Sequence, residues 1–243
     1  MSKIPLVLLH GIFGGLSNWE GIIPFLPPTC QPIPLELPFF SEEKDLSSVT
    51  AVIEYVQSFI DKEGLKSMVL LGNSIGGHIA ARLALDNPQS IKGLILTGSS
   101  GLFERSFTKI PGARPDRSWV REKACEVFFD SVHVTEKMVD EIMTTINDRK
   151  KARKLLQLAK SAKRDNIADR LKLIQCPTLL IWGKQDLITP PEVAEQFHSL
   201  LPNSEIAWID SCGHAPMMEC PKEFTKHLIS WCHKYFLTEQ AIV

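Results

Sequence analysis

Gly72, Ser74 and Gly76 form a Gly-x-Ser-x-Gly pattern, which can present a serine for nucleophilic attack. The apolar run at residues 68–71 is typical of a buried strand, and helical spacing of apolar residues begins at Ile75. A serine on so sharp a strand-to-helix turn has strained backbone, and small neighbours two residues to either side let strand and helix approach closely. The pattern therefore predicts an exposed Ser74 Oγ. It also places the Ile75 N–H at a helix N-terminus, where developing negative charge is stabilised.

An activated serine needs a base within hydrogen-bonding distance and a third group that orients the base. Asp186 lies in the loop after a predicted strand at residues 177–183, and His214 lies in the loop after the last predicted strand. We predict that Asp186 orients His214 and that His214 takes the proton of Ser74. Asp210, four residues before His214, is the alternative acid, but it is better suited to cap the turn after the last strand.

The elements that must position these side chains alternate along the chain between strands and helices. The predicted strands cover residues 4–9, 31–37, 68–71, 91–97, 177–183 and 205–209, and the predicted helices cover residues 17–26, 45–60, 75–86, 192–200 and 221–235. Such alternation is typical of α/β proteins with a parallel sheet that is covered by helices on both faces. Because the three catalytic candidates follow strands of this sheet, we expect their loops to converge above it.

Residues 102 to about 170 break this alternation because they contain no credible strand. Helical spacing predicts segments near residues 118–129, 135–146 and 148–162. We therefore predict two parts. Residues 1–100 and 171–243 form an α/β core, and residues 101–170 form a helical cap, inserted after the fourth strand, that lies over the strand ends.

Four motifs in order make the sequence resemble the α/β-hydrolase superfamily over nearly its whole length. They are His10-Gly11-Ile12 after the first strand, Gly72-Asn73-Ser74-Ile75-Gly76-Gly77, the loop from Gly183 to Asp186, and Gly213-His214. In capped members, the N–H after the His-Gly pair and the N–H after the nucleophile form the oxyanion hole, and these groups correspond to Ile12 and Ile75. The resemblance implies a serine hydrolase with the triad Ser74, Asp186 and His214, which works in two steps through an acyl-enzyme without a cofactor.

The sequence departs from the usual pattern of this superfamily at two places. It reaches the strand before His10 at residue 4, without the β-hairpin that many members have first, so we expect a trimmed sheet of about six strands. The loop after the second strand reads Glu36-Leu37-Pro38-Phe39-Phe40-Ser41, with phenylalanines where glycines are common. We take Phe13 and Phe39 as candidate substrate contacts.

The predicted cap is rich in apolar side chains, and part of this surface should face the active-site cavity. The side chains are those of Leu102, Phe103, Phe107, Phe128, Phe129, Met138 and Met143. They favour a small to medium apolar substrate, and we predict a hydrolase of carboxylic esters that resembles the carboxylesterases.

The main alternative is a carbon–carbon bond hydrolase of the meta-cleavage type. Such relatives often carry Gly-Asn-Ser-x-Gly-Gly, as here, and a cap arginine that binds a substrate carboxylate. Arg149 or Arg153 would fill that role, although the basic run at residues 149–154 is most simply a solvated surface. Lactone hydrolysis is open to the same triad, and a non-catalytic receptor on this scaffold would need an exposed apolar patch for a partner.

Two further histidines have structural interpretations. We expect His10 to form a structural hydrogen bond and His78, one helical turn past Ser74, to pack in the interior.

Charge and composition exclude several classes of function. The formal net charge of −1 gives no electrostatic reason to expect nucleic acid or an anionic membrane as a partner. Apolar runs are strand-sized, no metal-ligand cluster occurs, and the six cysteines lack Cys-x-x-Cys spacing. We expect reduced cysteines and a cytoplasmic protein that acts on a small molecule.

Overall fold

The structure is a computed structural model that describes residues 3–103 and 115–236. Six strands form one sheet: β1 (Ile4–Leu9), β2 (Cys30–Leu35), β3 (Met68–Asn73), β4 (Ile91–Thr97), β5 (Thr178–Gly183) and β6 (Ser204–Ile209). Their order across the sheet is β2-β1-β3-β4-β5-β6, and every neighbouring pair is parallel. The predicted parallel sheet of about six strands is confirmed.

Helices cover both faces of this sheet. In chain order they are α1 (Val49–Lys62), α2 (Ile75–Asp86), α3 (Arg117–Cys125), α4 (Glu136–Asn147), α5 (Arg149–Arg164), α6 (Ala168–Leu171), α7 (Pro191–Leu200), α8 (Pro216–Glu219) and α9 (Pro221–Phe236). Strand residues alternate between two buried clusters. Val7 and Leu9 share one cluster with α1, α2 and α7, whereas Leu6 and Leu8 share the other with α9. Because both faces are buried, the central strands β1, β3 and β5 appear in the sequence as nearly continuous apolar runs, whereas the edge strands β2 and β6 do not.

Local hydrogen bonding moves the start of the first long helix. The predicted helix at residues 45–60 begins only at Val49, because the Ser48 Oγ accepts a hydrogen bond from the Ala51 N–H at 3.2 Å and caps the N-terminus. The helix ends before Gly64, whose φ of +63° favours glycine, as the sequence indicates.

The helix predicted at residues 17–26 is wrong. This segment forms two short 3-10 turns, Leu16–Trp19 and Ile23–Phe25. Pro24 has no N–H to donate to a continuous helix. Gly21 is held against the closing helix, where a Cβ would lie 3.1 Å from the Pro221 Cβ. The chain therefore keeps Trp19 buried without forming a regular helix.

The segment between β4 and β5 is helical where the structure describes it, and we call residues 115–171 the helical insertion. It contains α3 to α6, close to the predicted helices. Near its C-terminal end it meets the segment that follows β4, since the Ile167 N–H donates to the Gly101 carbonyl at 2.9 Å. Its apolar residues enter both buried clusters, through Val139 in one and Leu158 in the other. Phe107 lies outside the described residues.

All six cysteines are free thiols, as predicted. Burial raises the pKa of the Cys176 thiol to about 11. Within residues 3–103 and 115–236, no helix combines the length and the apolar character that crossing a membrane would require.

Candidate active site

Ser74 lies at the turn between β3 and α2 with a φ of +57°, a region that non-glycine residues seldom adopt. A Cβ on Gly76 would overlap the Leu9 carbonyl, and one on Gly72 would lie 2.5 Å from the Gly77 nitrogen. Both positions therefore require glycine, for the reason that the sequence pattern suggested. Ser74 is only partly buried and lies at the carboxyl edge of the sheet, directly after β3.

Asp186 and His214 are joined by a hydrogen bond of 2.9 Å between Oδ2 and Nδ1. The carboxylate is buried and receives three further hydrogen bonds. Oδ1 accepts from the backbone N–H groups of Ile188 at 2.8 Å and Thr189 at 2.9 Å, and Oδ2 accepts from the Thr189 hydroxyl at 2.8 Å. This arrangement places the imidazole proton on Nδ1, so that Nε2 is the nitrogen suited to act as a base.

Asp210, the alternative acid, lies elsewhere. Its carboxylate pairs with the Lys184 Nζ at 2.8 Å and is 74% exposed. Of the two candidates, the structure brings only Asp186 to the His214 imidazole.

Asn73, the residue before Ser74, fastens the histidine loop to the serine turn. Its Nδ2 donates to the His214 carbonyl at 3.0 Å and to the Thr97 carbonyl at 3.1 Å. Gly98, just after β4, lies against the same histidine, since a Cβ there would be 2.7 Å from the His214 Nδ1. In the sequence, Asn73 is one residue of the Gly-Asn-Ser-x-Gly-Gly motif, and its position directly before the nucleophile is the signal that marks it as a candidate.

The loop of Asp186 crosses the loop of His214 in backbone contact. A Cβ on Gly183 would overlap the Gly213 carbonyl. The Gln185 N–H donates to the Cys212 carbonyl at 3.0 Å, and the Cys212 N–H donates back to the Gln185 Oε1 at 3.0 Å. These contacts fix the acid relative to the base.

The loop after β1 lies beside Ser74. A Cβ on Gly11 would lie 3.3 Å from the Ser74 Cβ. Ile75 is the first residue of α2, so its N–H has no acceptor within the helix. Among the residues that the structure describes, no hydrogen-bond acceptor is assigned to the Ile12 N–H or the Ile75 N–H. Their role as an oxyanion hole stays a prediction.

A sequence model described as "Alpha/beta hydrolase family" matches residues 6–227. The chain belongs to this family. The structure of MGS-MChE2, an alpha/beta hydrolase enzyme from the metagenome of sediments from the lagoon of Mar Chica, Morocco, is similar with a TM-score of 0.78. Its sequence is 39% identical, and the match covers 96% of this chain and 92% of that one.

Two curated relatives match over most of their length. Uncharacterized hydrolase YugF of Bacillus subtilis (strain 168) is 27% identical over 241 residues, covering 92% of this chain and 88% of the relative. Lipase 1 of Psychrobacter immobilis is 28% identical over 233 residues, covering 90% of this chain and 74% of the lipase. The similar proteins thus support hydrolase activity for this α/β hydrolase.

His10 has the structural role that the sequence predicted for it. Its Nε2 accepts a hydrogen bond from the Leu37 N–H at 2.9 Å, and its Nδ1 donates to the Gly11 carbonyl at 2.7 Å. Burial lowers the pKa of the imidazole, although the Gly11 hydrogen bond and the Glu36 charge oppose this shift. The neutral ring therefore braces the loop that precedes Ile12.

His78 is fully buried, as predicted. Its Nε2 lies 3.1 Å from the Asp165 Oδ2, and the Arg82 guanidinium binds the same carboxylate at 2.5 Å. His78 and Arg82 thus link α2, the helix that follows Ser74, to the residue that follows α5.

The predicted substrate contact at Phe39 is not supported by its position. Phe39 is 3% exposed and packs edge-on against His10, with 5.7 Å between ring centroids. A tight turn, in which the Phe39 N–H donates to the Leu37 carbonyl, directs the side chain inward. The next residue, Phe40, stacks on Phe13 at 5.9 Å. Phe13 is 45% exposed beside Ile12, so it stays a candidate contact.

Arg149 and Arg153 are exposed on α5. Their neighbours bind the loop that follows β2: the Lys154 Nζ donates to the Ser41 carbonyl at 2.6 Å, and the Lys150 Nζ lies 3.7 Å from the Glu42 Oε1. This environment fits a solvated surface better than a buried carboxylate site. In the described part of the chain, no group of three or more His, Cys, Asp or Glu residues could hold a metal ion.

Proposed function

We propose that this α/β hydrolase cleaves carboxylic esters of small to medium apolar substrates through an acyl-enzyme on Ser74. The observation that carries the proposal is the 2.9 Å hydrogen bond between Asp186 and His214, in a loop that Asn73 joins to the Ser74 turn. The names of relatives support the ester class, since they include Lipase 1 of Psychrobacter immobilis.

The proposed reaction has two steps. In the first, the Ser74 Oγ attacks the ester carbonyl carbon while the His214 Nε2 accepts its proton, and Asp186 stabilises the imidazolium. The oxyanion receives hydrogen bonds from the Ile12 and Ile75 N–H groups, each worth about 3 kcal/mol in such sites. The tetrahedral intermediate then expels the alcohol, which takes the proton from His214. In the second step, His214 activates a water molecule that hydrolyses the acyl-enzyme and frees Ser74.

We propose that residues 101–170 act as a cap over the core formed by residues 1–100 and 171–243. Direct contact supports this division, because the His214 N–H donates to the Val127 carbonyl of the helical insertion at 2.8 Å. Phe103 and Phe129 are 57% and 52% exposed, and they offer apolar surface for a substrate.

The test is hydrolysis of p-nitrophenyl esters from acetate to laurate by the wild type, Ser74→Ala and Ser58→Ala. Ser58 lies in α1, and its hydroxyl donates to the Glu54 carbonyl, so its variant is a matched control. We expect a burst of nitrophenol followed by turnover in the wild type and Ser58→Ala, and neither in Ser74→Ala. The acyl chain length that is hydrolysed fastest then indicates the size of the substrate pocket. Equal, slow hydrolysis by all three proteins would refute the proposal.

A carbon–carbon bond hydrolase is the second candidate. One relative, 25% identical over 249 residues, is a 2-hydroxy-6-oxononadienedioate/2-hydroxy-6-oxononatrienedioate hydrolase of Pseudomonas putida. The exposure of Arg149 and Arg153 weighs against this activity, because neither lies in a buried site for a substrate carboxylate. Turnover of a vinylogous 1,5-diketone in the absence of ester turnover would favour it, and lactones are assayed in the same way.

A further inference from the structure

Glu219, the last residue of α8, binds backbone groups from two distant parts of the chain. Its Oε1 accepts a hydrogen bond from the Gly213 N–H at 2.8 Å. Its Oε2 accepts from the Phe129 N–H at 2.7 Å and from the Asp130 N–H at 3.4 Å. Gly213 directly precedes His214, whereas Phe129 and Asp130 belong to the helical insertion. One carboxylate therefore joins the candidate catalytic loop to the insertion.

The two segments also touch directly beside this carboxylate. The His214 N–H donates to the Val127 carbonyl at 2.8 Å. A Cβ on Gly213 would lie 2.7 Å from that carbonyl oxygen and 2.8 Å from the Phe129 nitrogen, so no side chain separates the two backbones. The insertion thus contacts the backbone of two consecutive residues, Gly213 and His214.

We infer that Glu219 is a positioning residue that keeps His214 in its catalytic place by anchoring its loop to the insertion. The inference rests on the proposed function, in which His214 transfers protons in both steps. Hydrogen bonds to a carboxylate are stronger than those between neutral groups, and this carboxylate uses a different oxygen for each segment. A displacement of about 1 Å at a catalytic group lowers a rate by up to about 100-fold, so a modest loosening of this loop is measurable.

The chemistry of the side chain gives a graded test. The glutamine amide has one acceptor oxygen and one NH2 group that only donates, so Glu219→Gln can accept from only one of the two segments, and Glu219→Ala from neither. We expect kcat for p-nitrophenyl esters to fall about 10- to 100-fold in Glu219→Ala and less in Glu219→Gln, with smaller changes in KM. Both steps use His214, so acylation and deacylation both slow.

Asp116→Ala is the matched control. Asp116 caps α3 within the same insertion, where its Oδ1 accepts from the Trp119 N–H at 2.8 Å, but this bond lies within the insertion and does not reach the histidine loop. Asp116→Ala weakens the insertion but keeps the hydrogen bonds of Glu219, so we expect the kcat of this variant to stay within about 2-fold of the wild type. An equal loss of kcat in Asp116→Ala and Glu219→Ala would overturn the inference, because it would show a general effect of insertion stability.

Amide hydrogen exchange separates this inference from the proposed function, because it needs no substrate. We expect exchange at Gly213, His214 and Phe129 to accelerate in Glu219→Ala, exchange to accelerate on at least one side of the anchor, Gly213 or Phe129, in Glu219→Gln, and exchange at all three to stay unchanged in Asp116→Ala. Acceleration without ester turnover in the wild type would refute the ester proposal and leave the anchor standing. Unchanged exchange at all three of Gly213, His214 and Phe129 in Glu219→Gln, which keeps the side-chain volume and is the safer variant for folding, would overturn the inference that Glu219 anchors the loop.

Discussion

The Asn73 amide donates a hydrogen bond of 3.0 Å to the His214 carbonyl, so the residue before the candidate nucleophile holds the backbone of the candidate base. The same amide donates to the Thr97 carbonyl at the end of β4. Asn73 is 4% exposed, and water therefore competes little for these bonds. The separation of Ser74 from His214 thus depends on a buried side chain that takes no part in the proposed proton transfers.

Replacing Asn73 by alanine removes a hydrogen bond from each of two buried carbonyl groups, that of His214 and that of Thr97, and Thr97 keeps its bond from the Ser74 N–H. We expect the free energy of unfolding to fall by about 2 kcal/mol, and kcat for ester hydrolysis to fall by about 10-fold, because the histidine loop loses its link to the serine turn. Urea unfolding and steady-state kinetics measure both effects. Asn87→Ala is the control, since the Asn87 amide donates to the Gln57 Oε1 at 2.9 Å, away from His214. A normal kcat in Asn73→Ala would contradict this expectation.

Alanine variants of Gly98 and Gly64 distinguish the effect of backbone strain from the effect of a collision with His214. Both have positive φ, +50° and +63°, so alanine is strained at either position and we expect each variant to lose about 1 kcal/mol of stability. At Gly98 the new Cβ would also lie 2.7 Å from the His214 Nδ1, whereas at Gly64 nothing lies within 4 Å.

Gly98→Ala should therefore lose esterase activity by about 100-fold, and Gly64→Ala should keep it. Thermal unfolding, together with kcat measured well below the melting temperature, distinguishes the two losses. Comparable activity in the two variants would show that the His214 ring is not confined by Gly98.

The strands and the serine turn could be predicted because their causes are local in the sequence. Strands buried on both faces leave continuous apolar runs, and the close approach of β3 and α2 leaves glycines at fixed spacing around Ser74. The loops of Asp186 and His214 follow from the same logic, since they come after β5 and β6, two neighbouring strands of the sheet. These features needed no knowledge of distant contacts.

Other features could not be predicted because they join residues far apart in the chain. The bond from Asn73 to His214 spans 141 residues, and that from Glu219 to Phe129 spans 90. No periodicity or spacing signals such pairs. Phe39 and Phe40 show the same limit on a small scale, since a single tight turn decides which of two adjacent phenylalanines is buried.

The buried His10 predicts a loss of stability in mild acid. Burial lowers the pKa of His10 below its ordinary value of 6.5, so the unfolded chain binds the proton more readily than the folded one. Its contribution is present above about pH 6.5 and is lost as the pH falls through the folded-state pKa. Unfolding free energies from urea titrations between about pH 8 and pH 5 should decline less steeply in His10→Gln than in the wild type. Identical slopes would show that His10 does not titrate differently in the two states.

The cluster of His78, Arg82 and Asp165 predicts that one partly buried charge stabilises the fold more than a charge in a surface ion pair does. The pKa of Asp165 is lowered, first by the neighbouring His78 and then by Arg82, so its carboxylate stabilises the fold above its ordinary pKa near 3.8, and this is lost as the pH falls below that value. Asp165→Asn leaves the largely buried Arg82 with the more distant Asp86 carboxylate, at 3.9 Å, in place of the one at 2.5 Å. We expect it to lower the unfolding free energy at neutral pH by about 2 to 3 kcal/mol.

The exposed pair of Asp210 with Lys184 is the matched comparison for this cluster, because it has the same charges in water. Asp210→Asn should change the unfolding free energy by less than about 0.5 kcal/mol. Because Asp165, the residue after α5, pairs with His78 and Arg82 of α2, limited proteolysis of Asp165→Asn should cut first near residues 165–167, and Asp210→Asn should resist as the wild type does. Equal destabilisation by the two variants would show that the cluster stabilises the fold no more than a surface ion pair.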